Sequence, residues 1–176
     1  MRTETGTIRY SRTAVTLHWL TALLIVGLLI SGNRLDGMTD SAAKAGLLVI
    51  HAPVGVLVGL LTLFRIVWWW RFDTRPDPVG TPPQWQENAA RLVHLLFYIV
   101  ILGMAASGIG LMALSGAGEI VFGGAPGPLP DFGDYLPRTP HGIGAKIMFA
   151  LLVVHAGAAL YHHFGLKDGL LRRMWY

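Results

Sequence analysis

Uncharged runs recur four times along the chain. Residues 13–32, 45–64, 92–118 and 147–166 contain no Asp, Glu, Lys or Arg over 20, 20, 27 and 20 positions. A helix needs about 20 such residues to cross the hydrocarbon core of a bilayer. The segments between them are polar and rich in helix breakers. Residues 71–86 hold four prolines and mixed charges, so the second helix cannot run into the third. Residues 115–140 are rich in Gly and Pro, with a short amphipathic turn expected at residues 119–122. A loop of that length often covers a site. The pattern predicts an all-α fold, a four-helix transmembrane bundle running up-down-up-down. The helices are expected at roughly 13–32, 42–70, 88–115 and 141–166, in one domain spanning 1–176.

Composition agrees with this pattern. The chain is 53% hydrophobic and only 14% charged, and four spans leave too little chain for a separate soluble domain. A net charge of +4 does not call for nucleic acid, because basic residues flanking apolar spans are the ordinary membrane pattern. The first apolar run follows Arg2, Arg9 and Arg12, as in a signal peptide. It is long, however, and no small-residue cleavage site follows it. The N-terminus, the second loop and the C-terminus together carry ten Lys or Arg against five Asp or Glu. The other two loops carry four against five. The positive-inside rule therefore predicts both termini in the cytoplasm. All six Trp fall on or near the same side. Cysteine is absent, which excludes disulfides, thiolate-held iron–sulfur clusters and covalent C-x-x-C-H haem attachment.

Histidines sit inside the apolar runs, where an ionisable side chain is a functional-site candidate by default. His141 and His155 are fourteen residues apart in the fourth run. On a helix they share a face to within ~40° and lie ~21 Å apart along the axis. His18 lies near the start of helix 1, on the cytoplasmic side, and His51 near the start of helix 2, on the outer side. By depth, His18 matches His155 and His51 matches His141. Each pair offers two axial nitrogens to one iron, so two b-type haems in one bundle would use all four. His94, near the start of helix 3, competes for a place in the inner pair. His162 is seven residues beyond His155, on the same face and ~10 Å nearer the cytoplasm. That is too far for the same iron but within reach of a quinone head group.

Other residues fit this picture. Lys44 and Arg65 lie seven before and fourteen after His51, both within ~40° of its face. Each could pair with the propionates of one haem, although such side chains also snorkel to the interface. Pro53 removes one helix hydrogen bond near His51, so a local kink is expected there. Gly55, one turn on from His51, leaves room for a flat ring. Gly103, Ser107, Gly108 and Gly110 allow close helix contact or space for a cofactor.

The stretches YSRTAVTLHWL, LVIHAPVGVLVGLLTLFR, ARLVHLLFYIVILGMAASGIGLM, HGIGAKIMFALLVVHAGAALYHH and KDGLLRRM resemble the bacterial cytochrome b561 family of small di-haem membrane cytochromes. The resemblance covers most of residues 10–174. It implies haem ligands at His18, His51, His141 and His155. It also implies a multi-pass protein of the bacterial inner membrane, in contact with lipid. The implied activity is oxidation of superoxide at the outer face with transfer of the electron to ubiquinone. Related cytochrome b subunits instead serve hydrogenases and formate dehydrogenases, so a haem-bearing anchor with a redox partner protein is the alternative. The outer loops sum to −1, against attraction of an anion, but Arg34, Lys44, Arg138 and Lys146 would form a local basic funnel. Electrons are then expected to enter at the outer pair and leave at the inner, with His162 handling protons for the quinone. A zinc, copper or proton transporter remains the third class for the same histidines.

Overall fold

The computed structural model describes residues 9–74, 76 and 82–175. Arg2 and part of the proline-rich connector lie outside the described residues. No strand occurs among those described. Four helices are long and apolar enough to cross a membrane: α1 (Arg12–Gly37), α2 (Ser41–Arg71), α3 (Gln84–Leu114) and α5 (Arg138–Leu160). Between the last two lies the short α4 (Ala117–Gly123), at the expected amphipathic turn, with left-handed Gly116 and Gly124 at its two ends. Such a conformation costs a glycine little and any other residue more.

Each long helix begins before its uncharged segment, and in α1 and α2 a side-chain cap marks the start. Ser11 Oγ accepts from the Ala14 amide at the start of α1, and Asp40 does the same for Ala43 at the start of α2. Arg34 and Asp36 sit in the last turns of α1 without stopping it. Helix α2 continues past Pro53 to Arg71. The fourth span changes character where the sequence predicted plain α-helix. Residues Tyr161–Leu166 form a π-helical turn, closed by Lys167 in the left-handed region (φ 54°).

Helix α1 packs on α2, α2 on α3, and α3 on α5, whereas no comparably close backbone packing joins α5 to α1 or α2. A seam therefore runs along α5, and side chains rather than backbones bridge it. The start of α1 faces the end of α5, and the starts of α2 and α5 meet, so the long helices alternate in direction. Each long helix gives one residue to a central apolar layer: Ile25, Val58, Ile101 and Met148. Much of the remaining apolar surface points outward. Leu23, Ile50, Leu92 and Phe149 are all more than half exposed, as suits a lipid-facing surface.

Small residues set the tightest crossing. A Cβ on Gly59 would stand 2.9 Å from Ala105 Cβ, which brings α2 and α3 together. Gly59→Val is expected to force these helices apart at a cost of about 1–3 kcal/mol. The check is the thermal unfolding midpoint in detergent, which should fall; an unchanged midpoint would show slack at the crossing.

At the end where the termini meet, the C-terminal tail folds back over α1. Trp19 Nε1–H donates to the Met174 carbonyl at 2.7 Å. The Arg173 guanidinium lies 5.8 Å from the Tyr10 ring centre. Asp73 accepts from the Ser11 hydroxyl and from Trp68 Nε1–H, tying the start of α1 to the end of α2.

Candidate cofactor site

Four of the histidines singled out in the sequence meet in two pairs across the α5 seam. At the end away from the termini, His51 on α2 faces His141 on α5, with ring centres 6.4 Å apart and planes 64° apart. At the termini end, His18 on α1 faces His155 on α5 at 6.0 Å and 57°. A metal bound by imidazole nitrogens on opposite sides, each about 2 Å away, holds the ring centres roughly 6 Å apart. Both pairs thus have the width for one axially ligated metal. The apolar layer lies between them, since Met148 is seven residues from both His141 and His155 on α5. Seven residues are about 10 Å of helix.

The distal pair opens into a cavity of about 1840 Å³, well above the roughly 300–1,000 Å³ of an ordinary small-molecule pocket. Gly55 lines it, and nothing lies within 4 Å of where its Cβ would be. The loop after α4 forms part of the wall through Leu129, Pro130, Asp131, Phe132 and Gly133. The Leu129 amide is tied to Ser41 Oγ at 2.7 Å. All four cations of the expected funnel, Arg34, Lys44, Arg138 and Lys146, line this cavity. Two are already engaged. Lys44 Nζ lies 5.5 Å from the Phe132 ring centre, and Arg138 is ion-paired with Asp36 of α1. That pairing, which the sequence did not suggest, tempers the basic character of the mouth. His51 Nδ1 is 2.8 Å from Ser31 Oγ, and His141 Nδ1 is 3.0 Å from Ser107 Oγ.

At the termini pair, Arg65 lies close enough to act electrostatically on both His18 and His155, and its Nε is shielded from the surface. Lys44 and Arg65 therefore lie near opposite histidine pairs. His94 also approaches His155, at 5.6 Å and 80° between planes, but from α3, and its Nδ1 is 2.7 Å from the Ala90 carbonyl of its own helix. Phe97 packs edge-on against His155 at 5.5 Å.

His162 is not brought onto a histidine pair. Its Nδ1 lies 2.5 Å from Asp168 Oδ2, a contact made possible by the π-turn and the chain reversal at Lys167. Asp168 Oδ1 accepts from the Leu170 amide at 2.9 Å. Slight burial works to raise the Asp168 carboxyl, but the bonds from His162 and Leu170 outweigh it and hold it below the usual carboxylate range. Sequence spacing gave no sign of this partner. His163 instead packs on Phe164.

The fold is thus an apolar, membrane-spanning four-helix bundle that brings histidines together in two pairs at different depths. The chain belongs to the prokaryotic cytochrome b561 family, whose sequence model matches residues 9–176. Members of this family bind b-type haem, and transmembrane electron transfer is consistent with the fold. The chain is 34% identical over 171 residues to cytochrome b561 homolog 1 of Escherichia coli (strain K12), covering 94% of this chain and 96% of that one. It is 32% identical over 170 residues to cytochrome b562 of Cereibacter sphaeroides, covering 94% of each. A Yersinia pestis protein named probable superoxide oxidase CybB is 29% identical over 170 residues, covering 94% of this chain and 95% of that one.

Proposed function

We propose that this protein conducts electrons across the bacterial inner membrane, oxidising superoxide at the distal face and reducing ubiquinone at the termini face, with both termini in the cytoplasm. The observation that carries this reading is the pair of stacked imidazole couples, 6.4 and 6.0 Å wide, with an apolar layer between. When bound, one b-type haem per couple supplies reversible one-electron chemistry. His51 and His141 hold the distal group, and His18 and His155 the other. Arg65 supplies a cation beside the termini couple, where a propionate needs one.

Lys44, Arg34, Arg138 and Lys146 concentrate small anions in the distal cavity, with Asp36 limiting the contribution of Arg138. The name of the Yersinia relative supports superoxide as that anion. At the other end, His162 holds a proton near the membrane surface, where reduction of a quinone consumes protons. An imidazole suits this task because its ring nitrogens can both donate and accept a proton. A zinc carrier is less well supported. Zinc takes four ligands in structural sites and three in catalytic ones, and no cluster of three or more His, Cys, Asp or Glu able to hold a metal occurs among the described residues.

Superoxide pulses delivered to the purified protein should reduce its haem, and added ubiquinone should reoxidise it. His162→Ala should slow the second phase by about 10²-fold, the low end for loss of a general acid, and spare the first. Reoxidation at the wild-type rate would remove His162 from proton handling. Haem that stays oxidised under superoxide but is reduced by a co-purifying dehydrogenase would make the chain the anchor subunit of a larger complex.

A further inference from the structure

We infer that Ser31 and Ser107 are positioning residues for the distal histidines, each locking its partner as the Nδ1–H tautomer with Nε2 left to bind metal. This rests on the reading of His51 and His141 as axial ligands.

The argument begins with proton counting. A serine hydroxyl has one hydrogen to donate. Ser31 Oγ lies 3.2 Å from the Leu28 carbonyl of its own helix and 2.8 Å from His51 Nδ1. The carbonyl can only accept, and the hydroxyl is oriented to donate to it. Both contacts are satisfied together when His51 Nδ1–H donates to Oγ. On α3, Ser107 Oγ lies 3.1 Å from the Met104 carbonyl and 3.0 Å from His141 Nδ1. The same count gives the same tautomer. With Nδ1 carrying the proton, the Nε2 lone pair of each ring is the one available for iron.

The residue after each serine is glycine, and it contacts the same ring. A Cβ on Gly32 would lie 3.4 Å from His51 Cε1, and one on Gly108 would lie 3.2 Å from His141 Cε1. One Ser-Gly step on α1 and another on α3 thus grip the two distal rings in the same way. The serine fixes the proton, and the glycine lets the ring edge approach the helix backbone. A partner that accepts the ring N–H also raises the ligand's basicity, and losing such a partner typically costs 10–100-fold in metal affinity. A less basic imidazole donates less to ferric iron, so its loss raises the reduction potential.

The test uses the purified holoprotein, with the distal signal assigned as the one lost in His51→Ala. The double variant Ser31→Ala/Ser107→Ala should keep two haems as isolated. It should release the distal haem to a haem-scavenging protein 10–100-fold faster. The distal potential should rise while the other stays fixed. Ser31→Thr, which keeps a hydroxyl, should restore much of the Ser31→Ala change. Gly108→Ala should alter the distal low-spin electron paramagnetic resonance signal, which reports the angle between the two rings, and Gly32→Ala should alter it less. If His51→Ala removes one haem signal but the double serine variant leaves its potential and release rate unchanged, the serine assignment is overturned and the ligand reading stands. If His51→Ala leaves both haem signals intact, the ligand reading fails and this inference fails with it.

Discussion

His51→Ala and His141→Ala are each expected to halve the haem content, from two per chain to one. The distal rings stand 6.4 Å apart, while His18, His94 and His155 cluster at the other end of the bundle, so no neighbouring imidazole is placed to replace the lost one. The cavity at this end is already large and opens to a polar mouth. A singly ligated group there would exchange readily with water or leave. The termini pair is shielded from the change by the layer of Ile25, Val58, Ile101 and Met148, and should keep its haem and its potential. Haem extraction as the pyridine complex, normalised to protein, reads the stoichiometry directly. Two haems per chain in either variant would contradict the assignment.

The second large effect separates His18 from His94 as partner of His155. Distance does not choose between them, at 6.0 and 5.6 Å. Packing does. His94 projects from α3, the helix whose backbone packs closely on α5, whereas His18 faces His155 across the open seam. A flat macrocycle needs width between its ligands' helices, and the seam has it. His94 is also exposed, with its Nδ1 held by its own helix. His155→Ala is therefore expected to remove the haem at the termini end, and His94→Ala to keep both. Optical spectra of the two variants, together with haem per chain, decide the matter. Loss of a haem in His94→Ala and retention in His155→Ala would reverse the assignment.

The bundle was readable in the sequence because lipid imposes a coarse constraint. Every backbone group must be paired within its own span, so four long uncharged runs leave few alternatives to four helices. The two histidine pairings were readable for a related reason. Once helix directions alternate, position along a run becomes depth, and His141 and His155 fix two depths on one helix. Depth does not say which face a side chain occupies, which is why it pairs His18 with His155 yet leaves His94 as a competitor at the same level.

What escaped the sequence depends on local geometry. The π-turn at Tyr161–Leu166 continues the same uncharged run as the α-helix before it, and the His162–Asp168 contact closes across the end of that turn. Arg138 was expected to present its charge to the mouth of the distal cavity, yet Asp36, 102 residues earlier, claims it. Ser107 and Gly108 were legible only as small residues giving close helix contact or cofactor space, and nothing in the sequence singled out Ser31 and Gly32. Their contacts with His51 and His141 required the rotation of α1 and α3 about their axes, which hydropathy does not encode.

The most direct measurement is a reduced-minus-oxidised visible spectrum of the purified protein with haem quantified per chain. The expected result is a b-type spectrum, two haems per chain and two resolvable reduction steps. A colourless protein, or a single iron per chain, would contradict the reading of the two histidine pairs as haem sites.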